Sequence, residues 1–414
     1  MPVSARIYIG DALGFGGQPA IDTLISAGYS TVLAWSLHVQ ENGDLTLNDT
    51  YLVSGGRYQE ARPMCLPGKV AQLKNAGVEV LFSVGSGEPA RDFTNIARLL
   101  GPGVPGPENV LYRNFSALLT AMRNAGGDIA GIDFDNEDNV DAGVMVQFGL
   151  MLGEVGYEHV TLCPAFLGDL DVWTDTLATL NETVKPDFVN AVHVQCYAGG
   201  WRNQSQLHQW QEMIARANPD STCDLIPGLA TTQPPDGPWW FYGKPGAGVV
   251  RKPQTAVGGE VDWSRHVLTQ SCPGGPNAAL QVAQSGGGVT FFIYCNARVS
   301  IGGRSFRAGD AVFFAGTPAQ WSSSPECEVY QVSGCTDRLN NGIGACPADL
   351  QRQYRAWRDA GEKPPQGGFI WVYDSVDWCS LSGGCGGSEL RPATTARAYR
   401  DAIVNGLSPD SRGR

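Results

Sequence analysis

Eight strand-then-helix repeats spread over 414 residues predict an α/β chain folded as a (β/α)8 barrel, with a β-rich insertion between the seventh strand and its helix. Three observations carry that expectation. The strand-like segments are continuous apolar runs, as a parallel sheet covered on both faces requires. They alternate with amphipathic segments along most of the chain. The turn after the first of them reads Gly14-Phe15-Gly16-Gly17, without the G-x-G-x-x-G spacing that a doubly wound sheet uses to hold a dinucleotide.

Taken in order, residues 5–10 are apolar and β-branched, a Gly-rich turn follows, and 19–27 is amphipathic. Strand two covers 31–39. Residues 40–64 form a polar excursion with a hairpin-like Gly43-Asp44-Leu45-Thr46-Leu47, before a helix over 66–76. Strand three covers 78–84 and ends in Ser83-Val84-Gly85-Ser86-Gly87. A Gly/Pro-rich loop (101–108) then leads to a helix over 115–125. Strand four spans 129–137, with its helix over 142–155. Strand five (159–165) precedes a helix over 170–180, and strand six (188–197) one over 205–217. Strand seven covers 224–229, and the last repeat follows the insertion: a helix over 347–360, strand eight over 368–373 and a closing helix over 394–407. The barrel therefore comprises 1–230 and 347–414. Residues 231–346 are rich in Gly, Pro and aromatics, with β patterns at 289–295, 298–306 and 311–314. A βα insertion of this kind is expected over the catalytic face.

Net charge is −12 with a pI near 4.9, which argues against nucleic acid or an anionic membrane as partner and suits a neutral substrate. The cations are lopsided, 6 Lys against 23 Arg, a bias that fits the source genome better than a feature of a site. No apolar run is long enough to span a bilayer. The first strand begins too early to leave room for a signal peptide, so the protein is either cytosolic or has had its leader replaced at Met1. Eleven cysteines favour disulfides in a secreted enzyme over free thiols, with Cys327, Cys335, Cys346, Cys379 and Cys385 crowded together. Cys163 and Cys196 fall inside strands and read as inert core. Five histidines without an H-x-x-x-H pair argue against a catalytic metal, and no cofactor is expected.

The chemistry is concentrated in Gly131-Ile132-Asp133-Phe134-Asp135-Asn136-Glu137. On a strand, Asp133, Asp135 and Glu137 share one face. Three carboxylates on a buried face repel one another and lose hydration, a cost that packing alone does not explain. Asp-x-Asp-x-Glu loosely suggests a calcium loop, but the turn glycine is missing and the flanks are strand-like. An acid/base site at the C-terminal end of a barrel strand remains. Glu137, outermost, is the candidate acid, and the crowding predicts a shared proton and an acid pKa raised toward neutrality.

The stretch resembles the D-G-x-D-x-D-x-E signature on strand four of family-18 glycoside hydrolases, the chitinases and endo-β-N-acetylglucosaminidases. Ser83-Val84-Gly85-Ser86 resembles the family's S-x-G-G on strand three, Gln195-Cys196-Tyr197 its strand-six motif, and Trp371 stands where strand eight carries a floor tryptophan. Two positions depart from the pattern. Ala130 replaces the first Asp. Ala198 follows the strand-six Tyr where Asp or Asn is usual, removing a contact to the sugar and to the neighbouring carboxylate.

The resemblance implies a retaining hydrolase in which the substrate's own 2-acetamido carbonyl attacks the anomeric carbon. By resemblance, Asp135 orients that acetamido group, Asp133 holds or relays the proton, and Tyr197 donates to the acetamido oxygen. Trp371, Gln195, Trp35, Ser83 and Gly85 are the expected substrate-binding residues; Trp201, Trp239 and Trp240 are further candidate platforms. His193 shares the face of Gln195 and Tyr197 but reads as a hydrogen-bonded core residue. The expected partner is an N-acetylglucosamine-containing oligo- or polysaccharide such as chitin, bound by a monomer. Two alternatives stay open: an endo-β-N-acetylglucosaminidase acting on N-glycans, and a catalytically silent chitinase-like carbohydrate-binding protein.

Overall fold

The computed structural model describes residues 2–48, 50–61, 64–86, 90–217, 219, 222–231, 347–360, 363–376 and 392–409, together with six short strands between 279 and 331. Strand one (Ser4–Ile9) pairs in parallel with strand two (Thr31–Val39), which pairs with strand three (Glu79–Val84). The parallel series continues through strand four (Gly131–Phe134), strand five (His159–Leu162) and strand six (Val189–Val192). On the other side, strand one pairs with strand eight (Gly367–Trp371).

Strand seven closes the ring, and it does so in two pieces. Asp224–Leu225 pairs with strand six, and Gly228–Ala230 with strand eight. Pro227 between them has no N–H to give a ladder, so the expected single strand is interrupted there. The joint is held by the backbone: Val194 N donates to Ile226 O, Cys196 N to Gly228 O, and Gln195 bridges to Gly228. Gly228 has to be glycine, since a Cβ would lie 1.9 Å from the Phe369 ring that fills the barrel.

Residue alternation divides the two faces of the ring. Ile7, Ile9, Val32, Ala34, Val80, Phe82, Ile132 and Phe134 face outward into the main core beneath the helices. Phe134, fully buried, stacks on Phe148 of helix Ala142–Val155 (5.2 Å between centroids, 24°) and meets Phe93 of helix Asp92–Leu100 edge-on. Burying such a ring stabilises the fold by about 1.5–3 kcal/mol, and it fixes which face of strand four turns inward. The helix over 92–100 was not expected from sequence. It puts two helices between strands three and four, the second being Val110–Asn124, whose Asn109 side chain accepts from Leu111 N.

The polar excursion is a short antiparallel extension of strand two, built from Leu45–Leu47, Thr50–Ser54 and Arg57–Tyr58. Within the insertion, Ala279–Ser285, Gly288–Tyr294, Asp310–Ala315 and Cys327–Gln331 form an antiparallel sheet, and Arg298–Ile301 pairs with Arg304–Arg307. No helix among the described residues is long and apolar enough to cross a membrane.

Candidate active site

The inward faces of strands one, three, four, five and six converge on Asp133. Its carboxylate, fully buried, accepts from Tyr8 Oη (2.8 Å) and Ser83 Oγ (2.7 Å) on Oδ2, and from Thr161 Oγ1 (2.6 Å) and His193 Nδ1 (2.8 Å) on Oδ1. Burial alone would push this carboxyl upward. His193 and the hydroxyl donors of Thr161 and Ser83 outweigh it and hold Asp133 below the usual carboxylate range. The tautomer of His193 follows from its other nitrogen. Arg6 Nη1 stands 2.8 Å from Nε2, and a guanidinium can only donate. Nε2 is therefore the acceptor, and Nδ1 carries the proton given to Asp133. Burial first, then the Arg6 charge, hold His193 below its usual value and neutral, with Asp133 opposing.

Two residues further on, the surroundings change. Asp135 is buried and accepts from Trp35 Nε1 (3.0 Å) and Gln195 Nε2 (2.9 Å). Burial, then the charges of Glu137 and Asp133, raise it well above the usual range. Glu137 lies at the rim, half-buried, and accepts from the same Gln195 Nε2 at 2.9 Å. Burial raises its pKa as well, with Gln195 opposing. Asp135 and Glu137 are thus both shifted toward holding a proton, and Asp133 toward the anion.

The rim is anchored from behind. Strand four's ladder ends with Asp135 N donating to Val84 O, and Asn136 then closes a turn through both ends of its amide with Asn139. Asp138 accepts from Phe93 N and Thr94 N at the start of helix Asp92–Leu100. That is where a carboxylate satisfies free amides and the helix dipole together.

Aromatic rings line the mouth. Trp371 and Trp35, both half-buried, meet edge-to-face at 4.6 Å, and Tyr197 stacks on Trp371 at 5.7 Å and 19°. The Trp35–Ser36 and Trp371–Val372 peptides are both cis. Phe369 and Tyr8 fill the barrel below. Among the described residues, no group of three or more His, Cys, Asp and Glu is placed to hold a metal.

Asp133, Asp135, Glu137, Gln195, Tyr197, Trp35 and Trp371 come together as expected from sequence. Two expected substrate contacts are placed differently. Ser83 is fully buried and spends its hydroxyl on Asp133. Gly85, at φ 106°, lies against Asp135, where a Cβ would be 2.1 Å from the carbonyl oxygen, and its own carbonyl accepts from Ser36 Oγ. Both shape the ladder from behind instead of facing a ligand. Cys163, expected in the core, is buried in the barrel interior, 3.3 Å from Tyr8 Oη and 3.8 Å from Gln195 Nε2. The side chain of Trp201 and all of Trp239 and Trp240 lie outside the described residues.

Sequence reasoning missed Arg6, Tyr8 and Thr161; His193, read as a hydrogen-bonded core residue, is buried and hydrogen-bonded. The available signal was polar side chains at inward positions of otherwise apolar strands. Nothing local said that four different strands would aim them at one carboxylate.

No protein-family model and no curated protein matches the chain. Solved structures similar to it include a chitinase from Chromobacterium violaceum ATCC 12472, 10% identical over 98% of this chain and 99% of that one, with a TM-score of 0.44. A class V chitinase from Pseudomonas fluorescens Pf-5 is 12% identical over 98% and 100%, also at 0.44. A fungal endo-β-N-acetylglucosaminidase of glycosyl hydrolase family 18 is 17% identical over 56% and 79%, at 0.36. At such identities and scores these likenesses transfer no activity to this chain.

Proposed function

We propose that this chain is a retaining glycoside hydrolase of the family-18 kind, cleaving β-1,4 bonds after an N-acetylglucosamine unit of chitin or chitooligosaccharides. The observation that carries the reading is one strand face holding an anchored anion, Asp133, below a proton-retaining pair, Asp135 and Glu137, under a mouth of tryptophans. Glu137 protonates the leaving oxygen. Asp135 hydrogen-bonds the 2-acetamido N–H, so that the acetamido carbonyl oxygen attacks the anomeric carbon as the glycosidic bond breaks. Water then opens that ring, giving its proton to Glu137, and the configuration is retained. Tyr197 holds the acetamido group, and Trp371 and Trp35 carry the sugar's apolar face.

The insertion over residues 231–346, expected over the catalytic face, falls largely outside the described residues. Secretion is a further part of the proposal and rests on the cysteine content. Cys163 and Cys196 keep free, buried thiols. Pairing among the crowded cysteines Cys327, Cys335, Cys346, Cys379 and Cys385 is measured by thiol titration of the denatured protein before and after reduction.

The decisive assay compares fluorophore release from a chitotriose conjugate with glycan release from a high-mannose glycoprotein, with the product anomer followed by proton NMR. Release from chitotriose with retained configuration is expected. Release only from the glycoprotein would make the chain an endo-β-N-acetylglucosaminidase. Sugar binding without release from either would make it a silent binder.

A further inference from the structure

We infer that Arg6 and His193 are positioning residues for this reaction: a buried guanidinium, acting through a neutral imidazole, fixes Asp133 as the anion under the site and leaves the ladder's proton to Asp135 and Glu137. The inference rests on the glycosidase reading and extends it to residues that no substrate would touch. Arg6 and His193 are 6% and 0% exposed; Arg6 Nη1 lies 2.8 Å from His193 Nε2, and His193 Nδ1 lies 2.8 Å from Asp133 Oδ1. Burying a charged group in a barrel is costly, and apolar side chains could fill the same space without that cost. What the line of groups gives is direction. Arg6 permits only one tautomer of His193, and that tautomer can only donate to Asp133.

The surrounding charges do not replace the guanidinium. Below the line, Asp224 lies 3.9 Å from Arg6, and Glu79 lies 3.6 Å from His159. Glu79 favours a charged His193, whereas burial and Arg6 oppose it; His159, itself buried, is pushed down to about 4. Above the line stand Tyr8, Cys163 and Asp135, none of them cationic. Among the described residues, Arg6 is the cation on which this line of contacts ends, and a guanidinium keeps its charge at every pH at which the enzyme would work.

Arg6→Met removes that charge while keeping most of the volume. His193 is then free to take a proton on Nε2, and it supplies the cation only below its own pKa. As the pH rises above that point, Asp133 competes for the ladder's proton. The expected result is a kcat reduced at least about tenfold at the wild-type optimum, and an alkaline limb moved about one pH unit to the acid side. KM should stay within roughly twofold, since neither residue meets substrate. Arg6→Lys should restore the profile. A merely structural role would lower thermal stability in both variants and leave the shape of the pH profile and the Met/Lys contrast unmoved.

A folded Arg6→Met enzyme with the wild-type profile overturns the inference. Nitrogen-15 NMR of the imidazoles in the wild-type protein, with His193 assigned by its loss in His193→Gln, keeps the test alive if Arg6→Met does not fold. It needs no turnover. A neutral ring with its proton on Nδ1 at pH 7 is expected. An imidazolium, or a proton on Nε2, at pH 7 overturns the inference even in an active enzyme. An enzyme inactive on both substrates would instead defeat the glycosidase reading and leave the NMR result standing.

Discussion

Asp133 and Asp135 stand two residues apart on one face of one strand, yet their surroundings drive them in opposite directions. Around Asp133 there are four donors and, behind them, a cation. Asp135 has the nitrogen donors of Trp35 and Gln195, a hydrogen bond with the Cys163 thiol, and two neighbouring carboxylates. Burial is nearly equal at the two sites, so desolvation does not separate them. The hydroxyl and imidazole donors around the one, and the flanking carboxylates around the other, do. The lower layer of the barrel is therefore a fixed anion site, and the mouth is a place where a proton can be held and passed on.

The largest effect should come from the rim. Glu137→Gln is expected to lower kcat by about 10²–10⁴-fold with substrate binding largely intact, because only the transferable proton is lost. Single-turnover hydrolysis together with calorimetric binding of a chitooligosaccharide checks this, and a near-normal rate would take the acid role away from Glu137.

The two aspartates should then part in stability. Asp133 is held below its unfolded value, so its contribution is present above that value and lost as the pH falls through the folded one. Asp133→Asn leaves donors facing an amide and should cost about 3 kcal/mol at pH 7. Asp135 is raised, so its contribution is full below its unfolded value and is lost as the pH rises through the folded one. Asp135→Asn should therefore hold or gain stability at pH 7 while losing turnover, with its advantage over wild type shrinking toward pH 4. Urea unfolding at both pH values decides it, and equal losses in the two variants would erase the contrast.

A smaller effect is expected where strand three backs the ladder. Gly85→Ala forces a Cβ against the Asp135 carbonyl at a positive φ and should destabilise by about 2 kcal/mol, with a fall in kcat as Asp135 shifts. Smallest of all, Trp371→Phe keeps an aromatic floor but loses area. It should raise KM roughly fivefold, about 1 kcal/mol, with kcat little changed.

Much of this was legible in the chain. The order of strands and helices, the inward face of strand four, and the shared face of Gln195 and Tyr197 follow from periodicity; the resemblance is what brings Trp371 to the site and gives these residues roles. The helix over 92–100 escaped because its polar start follows directly on the loop after strand three. The break in strand seven escaped because Pro227 removes only one ladder donor from an otherwise apolar run. Ser83 and Gly85 were placed on the right strand but on the wrong side of the chemistry, since a motif names residues without saying which atom each will face.

By itself, the sequence determined that three carboxylates share one strand face, because alternation along a strand is a local property of the backbone. Which of them is an anion and which keeps a proton was decided only by the closed ring. Arg6, Tyr8, Ser83, Thr161, His193 and Gln195 come from strands far apart in the chain, and a pKa depends on the charges and donors that surround a group in space.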